Sequence, residues 1–171
     1  MKFLVLALCV VAAMADPHWV TLTADEVTGV QSTWNEIKTN EVDILYAVFK
    51  AYPDIQARFP AFVGKDLDSI KGSAPFAQHA TRIVSFFGEY IGLLGSEANS
   101  PAVKTILNQL GQTHRNRGIS KAQFGEFRTA FIAYLSSNVS GYNANVAQAW
   151  NDAFDAIYTI INSNLDGKPV V

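Results

Sequence analysis

From Thr23 onward the apolar residues of this chain return every three or four positions, and no stretch alternates in twos. A helix turns once in 3.6 residues and a strand flips at each one, so this spacing points to helices and away from sheet. Val27, Val30, Trp34 and Ile37 form the first stripe, behind a capping box of Thr23 and Glu26. Val42, Leu45, Val48, Phe49 and Tyr52 form the second. Pro53 ends it, because the residue before a proline avoids the helical region. A short helical turn up to Phe59-Pro60 and a polar loop over residues 64–72 are expected next. Ser73 then caps a long helix, with Pro75 in its first turn and a stripe of Phe76, Ala80, Ile83, Phe87, Tyr90 and Leu94.

Residues 95–100 interrupt the pattern. Ser100 as N-cap and Pro101 as first helical residue restart it, followed by Val103, Ile106, Leu107 and Leu110. Gly118 stops that helix, and a second capping box, Ser120 and Gln123, opens the next with Phe124, Phe127, Phe131 and Tyr134. Beyond Gly141 come Val146, Trp150, Phe154, Ile157 and Ile161, then a polar tail from Asp166 that is expected to fray. The expectation is one all-α domain of about seven to eight helices.

The first 15 residues obey a different rule. Lys2 precedes an unbroken apolar run from Phe3 to Met14, and Ala13-Met14-Ala15 offers the small residues a signal peptidase reads. The run is shorter than the roughly 20 residues a membrane span needs. Residues 1–15 therefore read as a cleaved secretory signal, and residues 16–171 as the single mature domain. Cys9, the only cysteine, lies in the signal, so the mature chain can form no internal disulfide. Without Lys2 it carries 12 Lys and Arg against 15 Asp and Glu, a net charge of −3. No basic patch is visible, which argues against a nucleic-acid partner. No later segment suggests a membrane partner after signal cleavage.

Three histidines carry most of the chemical interest. His18 sits on no periodic pattern. His114 ends the stripe of its helix, and His79 lies beside the stripe of another, 35 residues earlier. His114 alone reads more readily as a core histidine bonded to a backbone carbonyl than as a ligand. Together, on two inward-facing helices, they could face each other across a slot. Zinc usually wants three or four protein ligands and would find no cysteine here. A G-x-S-x-G elbow and a Gly-rich phosphate loop are both missing. A planar cofactor with one axial histidine remains, and the lack of C-x-x-C-H means non-covalent attachment.

At this point specific runs become informative. Leu45-Tyr46-Ala47-Val48-Phe49-Lys50-Ala51-Tyr52-Pro53, then Ala57-Arg58-Phe59-Pro60-Ala61-Phe62, resembles the globin segment with a proline at a helix corner and a phenylalanine six residues on. His79 with Arg82 and Ile83 resembles the globin distal helix. Leu110, His114 and Gly118-Ile119 resemble the proximal helix and the turn behind it. The likeness runs over residues 22–164 and is greatest to the secreted extracellular haemoglobins of midge larvae. The spacing from His79 to His114 is several residues longer than in those relatives, with the extra length placed around residues 95–100.

The resemblance implies a globin-like fold enclosing non-covalent haem b, with His114 as the iron ligand. It implies that His79 donates a hydrogen bond to bound dioxygen, in a ligand pocket walled by Ile83 and Leu45. Phe59 would lie flat on the haem, with Phe62 and Phe76 closing the distal side. Leu110, Ile119, Phe124 and Phe127 would line the proximal side and interior, and Arg82 would reach a haem propionate or the ligand. Ordinary core packing, or solvation for Arg82, remains open for each of these. Protonation of His79 near its usual pKa of about 6.5 would swing it out and open the site at acid pH.

The implied function is extracellular oxygen transport or storage in a haemolymph-like fluid, without catalysis, as a monomer or homo-oligomer. Carbon monoxide and nitric oxide are the further ligands. A nitric oxide dioxygenase or weak peroxidase is the alternative, although no flavin or nicotinamide domain is present to return electrons. A haem-free carrier of small apolar ligands is a third reading, but such secreted carriers usually hold disulfides. Asn138-Val139-Ser140 forms a glycosylation sequon, to which no use is assigned.

Overall fold

The computed structural model describes residues 21–170. The signal segment 1–15, Cys9 and His18 lie outside the described residues. Eight α-helices follow one another: α1 (Ala24–Ile37), α2 (Glu41–Ala51), α3 (Pro53–Ala57), α4 (Leu67–Lys71), α5 (Ala74–Leu93), α6 (Ser100–Asn116), α7 (Lys121–Asn138) and α8 (Ala144–Leu165). A 3-10 turn at Glu97–Asn99 precedes α6. Among the described residues no helix is long and apolar enough to cross a membrane.

The helix starts are written in side-chain chemistry. Thr23 and Glu26 satisfy each other's backbone N–H groups, as do Ser120 and Gln123, so both capping boxes form. Ser73 accepts from the Phe76 N–H and starts α5. Two starts differ from expectation. Residues 64–72 are not a plain loop: Asp66 accepts from the Ser69 N–H, and the short α4 buries Ile70 against α2 and α5. The N-cap of α6 is Asn99 rather than Ser100, because the 3-10 turn runs directly into the helix.

Helix α8 is the central element, packed chiefly on α6 and α1, while α2 packs on α5 and α7. The larger core gathers Trp34, Phe87, Phe131, Trp150 and Phe154 between these helices. Burying each such side chain stabilises the fold by about 1.5–3 kcal/mol or more. Trp150, 1% exposed, donates its indole N–H to Thr33 Oγ1 at 2.8 Å, and Thr33 donates onward to the Gly29 carbonyl at 2.7 Å. The polar groups of that buried contact are therefore paired. A smaller core of Leu45, Val48, Phe49, Phe62, Ile70, Phe76 and Ala80 joins α2, α4 and α5. Where the sequence predicts a frayed tail, the described residues after α8 are bonded back to the helices. Lys168 N–H reaches the Ser163 carbonyl at 2.9 Å, Lys121 pairs with Asp166 at 2.7 Å, and Val170 is bonded to Asn108 of α6.

Candidate cofactor-binding site

A cavity of about 550 Å³ opens between α2 and α5 on one side and α6 and α7 on the other, with α8 as its floor. Its size lies within the range of small-molecule and cofactor sites. His79 of α5 and His114 of α6 both line it. The two long helices form these walls because their apolar stripes face inward and their histidines fall beside those stripes.

His114 sits in the last turn of α6, where its Nδ1 lies 2.8 Å from the Leu110 carbonyl oxygen. A carbonyl can only accept, so Nδ1 carries the hydrogen and Nε2 keeps its lone pair. The ring is further seated on Phe124, with centroids 5.2 Å apart. Burial pushes the His114 pKa below its ordinary value, the Leu110 bond opposes that shift, and the charge of Arg117 adds to it. A fixed, neutral imidazole with one free lone pair is what a metal centre requires of a histidine ligand.

His79 is held differently. Its ring meets Phe59 edge-on, with centroids 4.4 Å apart, and it makes no hydrogen bond to another described residue. Burial first, then the charge of Arg82 and smaller electrostatic effects of His114 and Arg117, push its pKa down to about 4. Protonation of His79, expected near pH 6.5, is therefore displaced to more acid solution. At neutral pH the ring is uncharged and can offer one N–H to a small ligand.

Of the residues singled out in sequence, Leu45, Phe59, Arg82, Ile83, Leu110, Ile119, Phe124 and Phe127 line the cavity with the two histidines. Phe62 and Phe76 do not. They pack behind Phe49, at centroid distances of 5.9 and 5.8 Å, and Phe49 presents its own ring to the space. Val48, Phe86, Phe154, Ile157 and Tyr158 also line the cavity, beyond the residues the sequence singles out. Several of these were legible as core stripes, but a stripe does not tell whether a face meets a side chain or a void. Tyr158 donates its phenol to the Phe124 carbonyl, tying α8 to the start of α7, and burial pushes that phenol's pKa up.

Arg58, Arg82 and Arg117, all solvent-exposed, lie on the cavity rim. Arg58 spans the opening: its Nη2 donates to the carbonyls of Arg117 and Gly118 at 2.8 and 2.7 Å. Gly118 has φ +67°, and a Cβ there would stand 3.0 Å from the same nitrogen. Glycine thus permits both the turn that ends α6 and the approach of Arg58.

An apolar slot with a free imidazole lone pair inside and cations on its rim fits a haem, which presents iron, a flat apolar ring and two carboxylates. Among the described residues no cluster of three or more His, Cys, Asp or Glu could hold a bare metal ion. The donor set therefore matches a metal carried within a cofactor better than a protein-only cage.

Comparison with known proteins agrees. The family model described as Globin matches residues 42–161. The chain is 60% identical to globin CTT-Z of Chironomus thummi piger over 159 residues, covering 93% of this chain and 94% of that one. It is 59% identical to globin CTT-VIIB-3 of Chironomus thummi thummi, covering 93% and 96%. Among solved structures, the haemoglobin component TA-VII of Tokunagayusurika akamusi superimposes with a TM-score of 0.83 at 51% identity, covering 85% of this chain and 97% of that one. A Drosophila melanogaster globin reaches 0.77 at 26% identity, covering 86% and 99%.

Proposed function

Because this chain belongs to the globin family, we propose that its cavity holds haem b non-covalently and that the protein carries or stores dioxygen outside cells. The observation that supports this most is the His114 hydrogen bond to the Leu110 carbonyl, which leaves Nε2 free inside the cavity. When bound, the haem would supply a ferrous iron that takes up dioxygen reversibly, and carbon monoxide or nitric oxide in its place.

The chain's own residues divide the remaining work. His114 would hold the iron, and Leu110 fixes its tautomer and ring direction. His79 directs an N–H toward the ligand from α5. In a dry pocket that bond is worth about 1–3 kcal/mol. Ile83, Leu45 and Phe59 exclude water, which protects a ferrous centre from oxidation. Arg82 and Arg117, on the cavity rim, would pair with the propionates. Residues 1–15 would direct the chain to the extracellular fluid.

Haem titration of the purified chain, followed by absorption, tests the reading. One haem per chain is expected for the wild type. His114→Gly should take up haem poorly and recover with added imidazole. Equal retention without imidazole would remove His114 from the role. N-terminal sequencing of secreted protein tests the leader and should begin at Asp16.

A further inference from the structure

Helix α6 has two faces with different neighbours. Leu110, Thr113, His114 and Arg117 face the cavity. Asn108, Gly111 and Arg115, spaced as one helix face, look toward the end of α8 and the tail behind it. Asn108 grips the tail as a neighbouring strand would. Its side-chain N–H donates to the Val170 carbonyl at 2.6 Å, and its side-chain oxygen accepts the Val170 N–H at 3.0 Å. The same oxygen accepts from Asn164 at 2.7 Å, and Asn164 is 1% exposed.

The contact is also sterically close. A Cβ built on Gly111 would lie 2.6 Å from the Asn164 Cβ, so the two helices touch there without a side chain between them. One turn on, a Cβ on Gly167 would lie 2.9 Å from the Arg115 guanidinium. Apart from Val170, residues 166–170 are exposed. Hydrogen bonds therefore do much of the holding.

Leu110 and Gly111 are adjacent, and the Leu110 carbonyl is the group that orients His114. We propose that the tail, clasped by Asn108 and backed by the Gly111–Asn164 contact, is a strap that sets the position of α6 and through it the orientation of the His114 ring. The proposal rests on the reading of His114 as the iron ligand. Asn108, Gly111 and Asn164 would act as positioning residues, since none of them lines the cavity.

The test uses the haem-loaded full chain, Asn108→Ala, Asn108→Asp and a chain ending at Asp166. Amide hydrogen exchange over residues 110–119 and the iron–imidazole stretching band of the ferrous, ligand-free protein are the two readouts. Losing both bonds to Val170 should speed exchange by about tenfold in Asn108→Ala and in the shortened chain. The stretching band should broaden or move in the same two variants. Asn108→Asp keeps the acceptor for Val170 and Asn164 but not the donor, and should fall between them and wild type.

An unchanged band in Asn108→Ala, even with a lower melting temperature, would show an ordinary structural contact and overturn the strap. Unchanged exchange would overturn it equally. A wild-type band that survives His114→Gly would instead overturn the ligand reading, and the proposed effect on His114 with it.

Discussion

His114 and His79 line one cavity from neighbouring helices, and burial lowers the pKa of both, but they are held in different ways. On the α6 wall the ring is fixed by a hydrogen bond to Leu110, the helix end is held by Arg58, and the far face is bonded to the tail. On the α5 wall the His79 ring meets the edge of Phe59 and makes no hydrogen bond to another described residue. A permanent ligand gains from fixed geometry, whereas a donor to a passing ligand must yield to let that ligand in. The contrast therefore supports the proposal that the iron is held from α6 and the exchanging gas is met from the α5 side.

The largest effect should come from breaking the fixed side. His114→Gly is expected to raise the rate of haem loss by at least about a hundredfold, read by transfer to an apoglobin acceptor. Next comes the adaptable side. His79→Val should retain haem and speed oxygen dissociation by about five- to 150-fold, the kinetic equivalent of about 1–3 kcal/mol. Haem loss dominated by His79 rather than His114 would reverse the assignment of the two walls.

A pH series sharpens the comparison further. The fold favours neutral His79, with a pKa of about 4 against an ordinary 6.5. As pH falls, the unfolded chain takes up the proton first. The haem-free protein should therefore lose stability between about pH 6.5 and 4, and His114 adds in the same direction. Melting temperatures across that range should show a shallower slope for His79→Val. In the haem-loaded protein, oxygen dissociation should stay flat from pH 8 to about 5. A rise centred near 6.5 would mean that burial does not hold His79 neutral.

The smallest effect is expected where the two walls meet. Arg58 is exposed, and Arg58→Ala removes only its bonds to the carbonyls of Arg117 and Gly118. Haem loss should rise by about threefold, with oxygen dissociation close to wild type.

Most of the fold is local chemistry and was legible as such. Thr23 with Glu26, Ser73, and Ser120 with Gln123 mark helix starts within three residues of sequence. Helix α4 escaped because it spans five residues and buries only Ile70, too little for a period to register. The bonded tail escaped for the opposite reason. Its partner Asn108 lies 62 residues from Val170, and amide side chains carry no apolar signal.

The site divides along the same line. Periodicity put His79 and His114 beside apolar stripes, and the resemblance to globins gave them unequal roles. Which phenylalanines meet the cavity depends on how α2, α3 and α5 cross, and that is a tertiary fact. Phe49 turned out to stand in front of Phe62 and Phe76. Arg58 at the rim has no pattern of its own; its bonds reach 59 and 60 residues along the chain.

The most direct measurement is the absorption spectrum of the reduced, haem-loaded protein before and after exposure to oxygen, for wild type and His114→Gly side by side. The account predicts one haem per wild-type chain and a Soret band that shifts with oxygen and returns when oxygen is removed. His114→Gly should lose both without added imidazole. A wild-type chain that retains no haem, or a variant with the same reversible spectrum, would contradict it.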